Sequence, residues 1–113
     1  MDVDIQVLED ASAVLGHDRP TLLVLGRPSC DDCQRWYDVL RSWTPDGELE
    51  VLSLDLTGEV GMAYKAQNTW TERIDFIPFN VLYVNGQSVS EWRGGSLERL
   101  IDHLRRSGDA SWP

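Results

Sequence analysis

Runs of apolar residues alternate along this chain with stretches of helical spacing. "TLLVLG" (21–26) is an uninterrupted apolar run with a turn on each side, the mark of a strand buried on both faces. "FNVLYV" (79–84), opened by Ile77-Pro78, reads the same way. "LEVLSLDL" (49–56) alternates toward a further strand, and "VDIQVL" (3–8) toward a short one at a sheet edge. Asn85-Gly86 is a strong hairpin signal and sends "QSVSEW" (87–92) back as the returning strand. Helical patterns lie between. Cys33, Trp36, Tyr37, Leu40 and Trp43 fall on one face of an amphipathic helix that "TPDG" (44–47) ends. "LEDASAVL" (8–15) predicts a short helix stopped by "GHDRP", and "EVGMAYKAQN" (59–68) another, weakened by Gly61. Leu97, Leu100, Ile101 and Leu104 share one face of a last helix, with Ser96 as its cap and Arg105 and Arg106 in its final turn.

Strand–helix–strand units pair in parallel through right-handed crossovers, and the hairpin adds an antiparallel pair. The expectation is an α/β protein with a mixed central sheet of four to five strands and helices on both faces. Its 113 residues, 42% apolar, suffice for one domain, 1–113, with a real core. A net charge of −9 argues against nucleic acid and anionic membranes as partners. No apolar run approaches the length that spans a bilayer. The acidic start "MDVDIQVLED" lacks a basic segment followed by an apolar one and does not read as a secretory signal. The chain is therefore expected in the cytoplasm, where thiols are kept reduced.

That compartment matters because the only two cysteines, Cys30 and Cys33, sit between the strand 21–26 and the helix after it. A lone CxxC is redox-active, half of a metal site, or incidental. Four thiolates from two chains would hold zinc or an iron–sulfur cluster. His17 and His103 have no ligand spacing to the cysteines and are expected on the surface.

CxxC at a strand-to-helix junction, Ile77-Pro78 opening a strand, and an Asn-Gly hairpin leading to Gly94-Gly95 and a last helix occur here in that order. In this the chain resembles the thioredoxin superfamily over nearly its whole length. The resemblance implies a thioredoxin-like fold, a cis peptide at Pro78, and a residue before it, Ile77, whose free backbone pairs with an extended substrate. It also differs. Ser29 stands where thioredoxins carry Trp, Val24 where they bury an aspartate, Val51 near the place of that aspartate's lysine partner, and Asp38 near that of a helix-kinking proline. The aspartate–lysine pair is linked in that family to proton transfer at the buried cysteine. "GGS" (94–96) is also similar to the glutathione-binding turn of glutaredoxins, although the glycines suit a turn as well.

Thiol–disulfide exchange needs one solvent-reaching thiolate and a second thiol close by. At a helix N-terminus the first cysteine is exposed and the second tucked inside, so Cys30 is the expected nucleophile and Cys33 the resolving thiol. Asp31 and Asp32 suit a first helical turn, with Ser29 as the cap. They also oppose the thiolate. A helix N-terminus favours it by roughly 0.3–2 kcal/mol, and a carboxylate about 6 Å away disfavours it by roughly 0.7–3 kcal/mol. Arg27 and Arg35 offset part of this. Cys30 is then not strongly acidified, with a pKa of about 7–9 against a reference of about 8.5. The couple should lie nearer a reductant (about −270 mV) than a strong oxidant (about −120 mV).

Trp70, Phe76 and Phe79 flank the proline, as core or as an apolar rim for a bound peptide, with Trp70 expected to be the most exposed. Trp36 and Tyr37 are expected in the core, and Asp55 as a cap for the helix after it. The function implied is reduction of protein disulfides by Cys30 and Cys33, with Asp31, Asp32 and Arg27 tuning the motif. Ile77, Pro78, Trp70 and Gly94 would hold the substrate. No cofactor beyond the dithiol and no metal is expected. The partners would be a disulfide-containing protein and a reductase or low-molecular-weight thiol as electron donor, with the chain a monomer. The alternatives are a glutathione-dependent, glutaredoxin-like enzyme and a thioredoxin-fold adaptor without turnover.

Overall fold

The computed structural model describes residues 3–113; Met1 and Asp2, at the head of the acidic start, lie outside them. Five strands form one mixed sheet: β1 (Ile5–Val7), β2 (Thr21–Gly26), β3 (Glu50–Asp55), β4 (Phe79–Val84) and β5 (Gln87–Arg93). Their spatial order is β1-β3-β2-β4-β5. β1 and β2 both run parallel to β3, whereas β4 is antiparallel to β2 and to β5. Asn85 and Gly86 both take positive φ, which the tight β4–β5 turn requires.

Three helices cover the sheet: α1 (Asp31–Arg41), α2 (Glu59–Gln67) and α3 (Leu97–Arg106), with a 3₁₀ turn at Thr69–Arg73. Strand alternation divides the core in two. Leu22 and Val24 of β2 face one side, where Trp36 and Leu40 of α1 and Leu100 and Leu104 of α3 pack on them. Leu23 and Leu25 face the other side, with Tyr64 of α2. β2 is buried along its whole length because helices stand on both of its faces.

One predicted helix is absent. The stretch 8–15 is a loop. Asp10 turns it, its carboxylate accepting from Ser12 N–H at 2.9 Å and its carbonyl from Ala13 N–H at 3.1 Å. Leu8 and Leu15 are still buried, on the α2 side. Their apolar spacing reflects two anchors of a loop, and aspartate's preference for local turns decides the conformation.

Candidate redox site

α1 begins at the C-terminal edge of the central strand. A turn closes between β2 and α1, with Cys30 N–H donating to the Arg27 carbonyl at 3.2 Å. The loop therefore ends at Cys30, and Cys30 itself is the N-cap: its Sγ accepts from Cys33 N–H at 3.1 Å. Ser29, expected in that role, is exposed one residue too early. Cys30 and Cys33 form a disulfide, with Cα atoms 5.2 Å apart. Cys30 is half-buried and Cys33 is fully buried. The sulfur of Cys33 lies against the backbone of Gly26, where a Cβ would stand 2.7 Å from it; only glycine leaves that space.

Asp31 and Asp32 occupy the first turn of α1 and are exposed. They are not equivalent, because Asp32 forms an ion pair with Arg35. Arg27 makes no ion pair among the described residues. It lines a groove with Ile74, Asp75, Phe76 and Ile77.

The Ile77–Pro78 peptide is cis. Ile77 is half-buried, and its N–H and C=O make no hydrogen bond among the described residues. Pro78 is held from behind, its carbonyl accepting from Gly94 N–H at 2.8 Å. The Gly94 carbonyl accepts from Asn80 Nδ2 at 2.8 Å. Asn80 is fully buried and also reaches α1: its Oδ1 accepts from Trp36 Nε1 at 2.8 Å, and its Nδ2 donates to the Trp92 carbonyl at 3.2 Å. One amide thus ties the CxxC helix, the strand after the proline and the glycine turn together. Gly95 completes the join, since a Cβ there would meet the Trp36 side chain at 3.0 Å. Trp36, Val39, Phe76, Pro78 and Gly94 line a groove of about 450 Å³ beside the motif.

No protein-family model matches the chain, and no curated protein is similar to it in sequence. Solved structures are similar in shape. A thioredoxin of Malassezia sympodialis superposes with a TM-score of 0.66 at 20% identity, over 92% of this chain and 90% of that one. Thioredoxin f2 of Chlamydomonas reinhardtii gives 0.66 at 16% identity, over 92% and 95%. A mutant thioredoxin of Halobacterium salinarum gives 0.63 at 19% identity, over 91% and 88%. The chain has the thioredoxin fold.

Within that thioredoxin fold several expectations need correcting. Trp70, expected to be the most exposed aromatic at the site, packs edge-on against Tyr64 and 5.8 Å from the Phe79 ring, within the α2-side core. Phe76 is the exposed one, at 45%. The 3₁₀ turn, absent from the periodicity, swings Trp70 inward. Asp55 does not cap α2; Gly58 is its N-cap, and the Asp55 carboxylate holds Thr57 N–H at 2.8 Å instead. That contact, with the Thr57 hydroxyl first, holds Asp55 below the usual carboxylate range. His103 is not a free surface residue, since its ring stacks on Trp92 at 4.0 Å.

Val24 and Val51 are both fully buried in the α1/α3-side core, so apolar packing occupies the positions of the thioredoxin aspartate–lysine pair. Tyr37 brings its hydroxyl to the same side of Gly26 as Cys33 Sγ, 3.7 Å from where the Cβ would stand. Burial raises the Tyr37 pKa, with Asp55 acting in the same direction and the Arg41 guanidinium against it. Asn80 escaped the sequence reading, although it is the one strongly polar residue in "FNVLYV". A buried amide needs partners, and that was the available signal.

Proposed function

We propose that the chain is a thiol–disulfide oxidoreductase that reduces protein disulfides in the cytoplasm. What supports the reading above all is the asymmetry of the pair, a half-buried Cys30 at the start of α1 and a fully buried Cys33 one turn on, together with an Ile77 backbone before the cis-proline that has no hydrogen-bond partner among the described residues. The Cys30 thiolate attacks one sulfur of the substrate disulfide. Its other sulfur leaves as a thiolate and takes a proton. Cys33 then loses its proton and attacks Cys30 Sγ, which frees the second substrate thiol and leaves the Cys30–Cys33 disulfide. Two electrons have passed to the substrate, and a reductase or a low-molecular-weight thiol returns them.

Ile77 pairs with the extended substrate backbone, Pro78 shapes that edge, and Arg27, Asp31 and Asp32 set the charge around the thiolate. Both backbone polar groups of Gly94 are already engaged, its N–H with the Pro78 carbonyl and its carbonyl with Asn80. That favours a turn over a glutathione clamp. Trp70 supports the site from the core. The chain acts as a monomer, with no cofactor beyond the dithiol.

The test is equilibration of the Cys30–Cys33 couple with a dithiol buffer, followed by alkylation and mass readout. A reversible potential below about −230 mV is expected, and one above about −180 mV would reverse the direction of exchange. Cys30→Ser should abolish disulfide reduction, while Cys33→Ser should trap mixed disulfides with substrate. Partner binding that persists without either cysteine, with no turnover in the parent protein, would make it an adaptor instead.

A further inference from the structure

The groove beside Pro78 is lined by Asp32 of the motif and by Val39 two turns further along α1. Val39, 42% exposed, is shared between it and an apolar trough lined by Trp43 and Leu97. This trough runs between the C-terminal half of α1 and the start of α3. Phe76 and Pro78 line the groove together with the Asp32–Arg35 ion pair, and Val39 joins that groove to the trough at Trp43. The charges beside it are turned on one another along α1, Asp32 with Arg35 and Asp38 with Arg41 at 3.5 Å. Isolated exposed apolar residues need no partner. What assigns an occupant here is continuity with the candidate site: Asp32 of the CxxC motif and the cis-proline line the groove that shares Val39 with the trough.

We propose that this trough seats the substrate polypeptide, taking an apolar side chain four to six residues from the cysteine under attack. The proposal rests on the redox reading above. The spacing follows from element geometry. α1 rises about 1.5 Å per residue, which puts Val39 about 13 Å along the axis from Cys30. An extended chain covers that distance in about four residues, and the further turn to Trp43 in about two more. The self-paired carboxylates repel no particular charge, so the trough selects by apolar surface and reach.

Synthetic ten-residue peptides test this. Each carries one cysteine as a mixed disulfide with a chromogenic aryl thiol, with leucine or serine five residues away, or leucine two residues away. The reduced protein should release the aryl thiol about fivefold faster from the five-residue leucine peptide than from its serine counterpart, the scale of half-burying one leucyl side chain. The two-residue peptide should gain nothing. Val39→Lys should remove the preference, bringing the leucine peptide's rate to that of its serine counterpart, while Val39→Leu should retain it. Equal rates across the peptides, or a preference that survives Val39→Lys, would overturn the trough. So would concentration-dependent dimerisation in sedimentation that Val39→Lys abolishes, since a second copy would then be the occupant. Failure with every peptide, while both thiols still alkylate in the reduced protein, would sink the redox reading and the trough with it.

Discussion

Asp31 and Asp32 are adjacent in sequence yet differ in their partners. Asp32 shares its charge with Arg35, whereas Asp31 has no ion pair among the described residues. Asp31→Asn should therefore favour the Cys30 thiolate more than Asp32→Asn does, because a carboxylate without an ion-pair partner repels it more strongly. Iodoacetamide alkylation rates against pH read both variants, and a larger effect at Asp32 would contradict the pairing. Asn80 makes a second prediction at this scale. Asn80→Leu keeps the branched shape at a larger volume and removes the side-chain partner of the Trp36 indole N–H and of the Trp92 and Gly94 carbonyls. The expected cost is about 2–4 kcal/mol in urea denaturation. The cysteines were legible in the sequence because CxxC is a local pattern. The Asn80 network was not, because its partners lie on α1 and at the end of β5.

The element scale separates what local pattern can carry from what it cannot. α1 and α3 follow their apolar faces closely, and the cap at Ser96 is where it was expected, accepting from Arg99 N–H at 3.3 Å. The 8–15 loop and the 3₁₀ turn did not, since each is decided by a few polar contacts rather than by periodicity. α3 is fastened to β5 by the His103–Trp92 stack. Burial lowers the His103 pKa below 6.5, with Asp102 opposing and Arg99 and Arg106 reinforcing the shift. The folded state therefore binds that proton less readily than the unfolded one, and stability should fall as pH drops below 6.5 toward the depressed value. Denaturation midpoints of the parent and of His103→Gln across pH 7.5 to 5 check this; the parent should lose more on acidification.

At the scale of the molecule, two apolar faces hold one sheet, and the disulfide is a minor brace on top of them. Closing a loop of about four residues stabilises by about 2 kcal/mol in the chain-entropy picture. The reduced protein should stay folded, with an unchanged far-ultraviolet circular dichroism spectrum, and unfold more easily than the oxidised form by about that amount. By linkage, a fold that favours its disulfide lowers the potential of the couple, in line with a reductant. A reduced form more stable than the oxidised one would point to an oxidant instead. The sequence by itself determined the five strands and the three α-helices, the buried central strand, the hairpin and the placement of the cysteines at a strand-to-helix junction. Each of these is written in residue period, turn chemistry or spacing along a few positions of chain. Only the tertiary structure decided that Cys30 caps its own helix, that Phe76 rather than Trp70 faces outward, and that Asn80 joins three segments far apart in the chain. Those outcomes depend on close packing and on the pairing of buried polar groups, which are satisfied between elements and leave no periodic trace within any one of them.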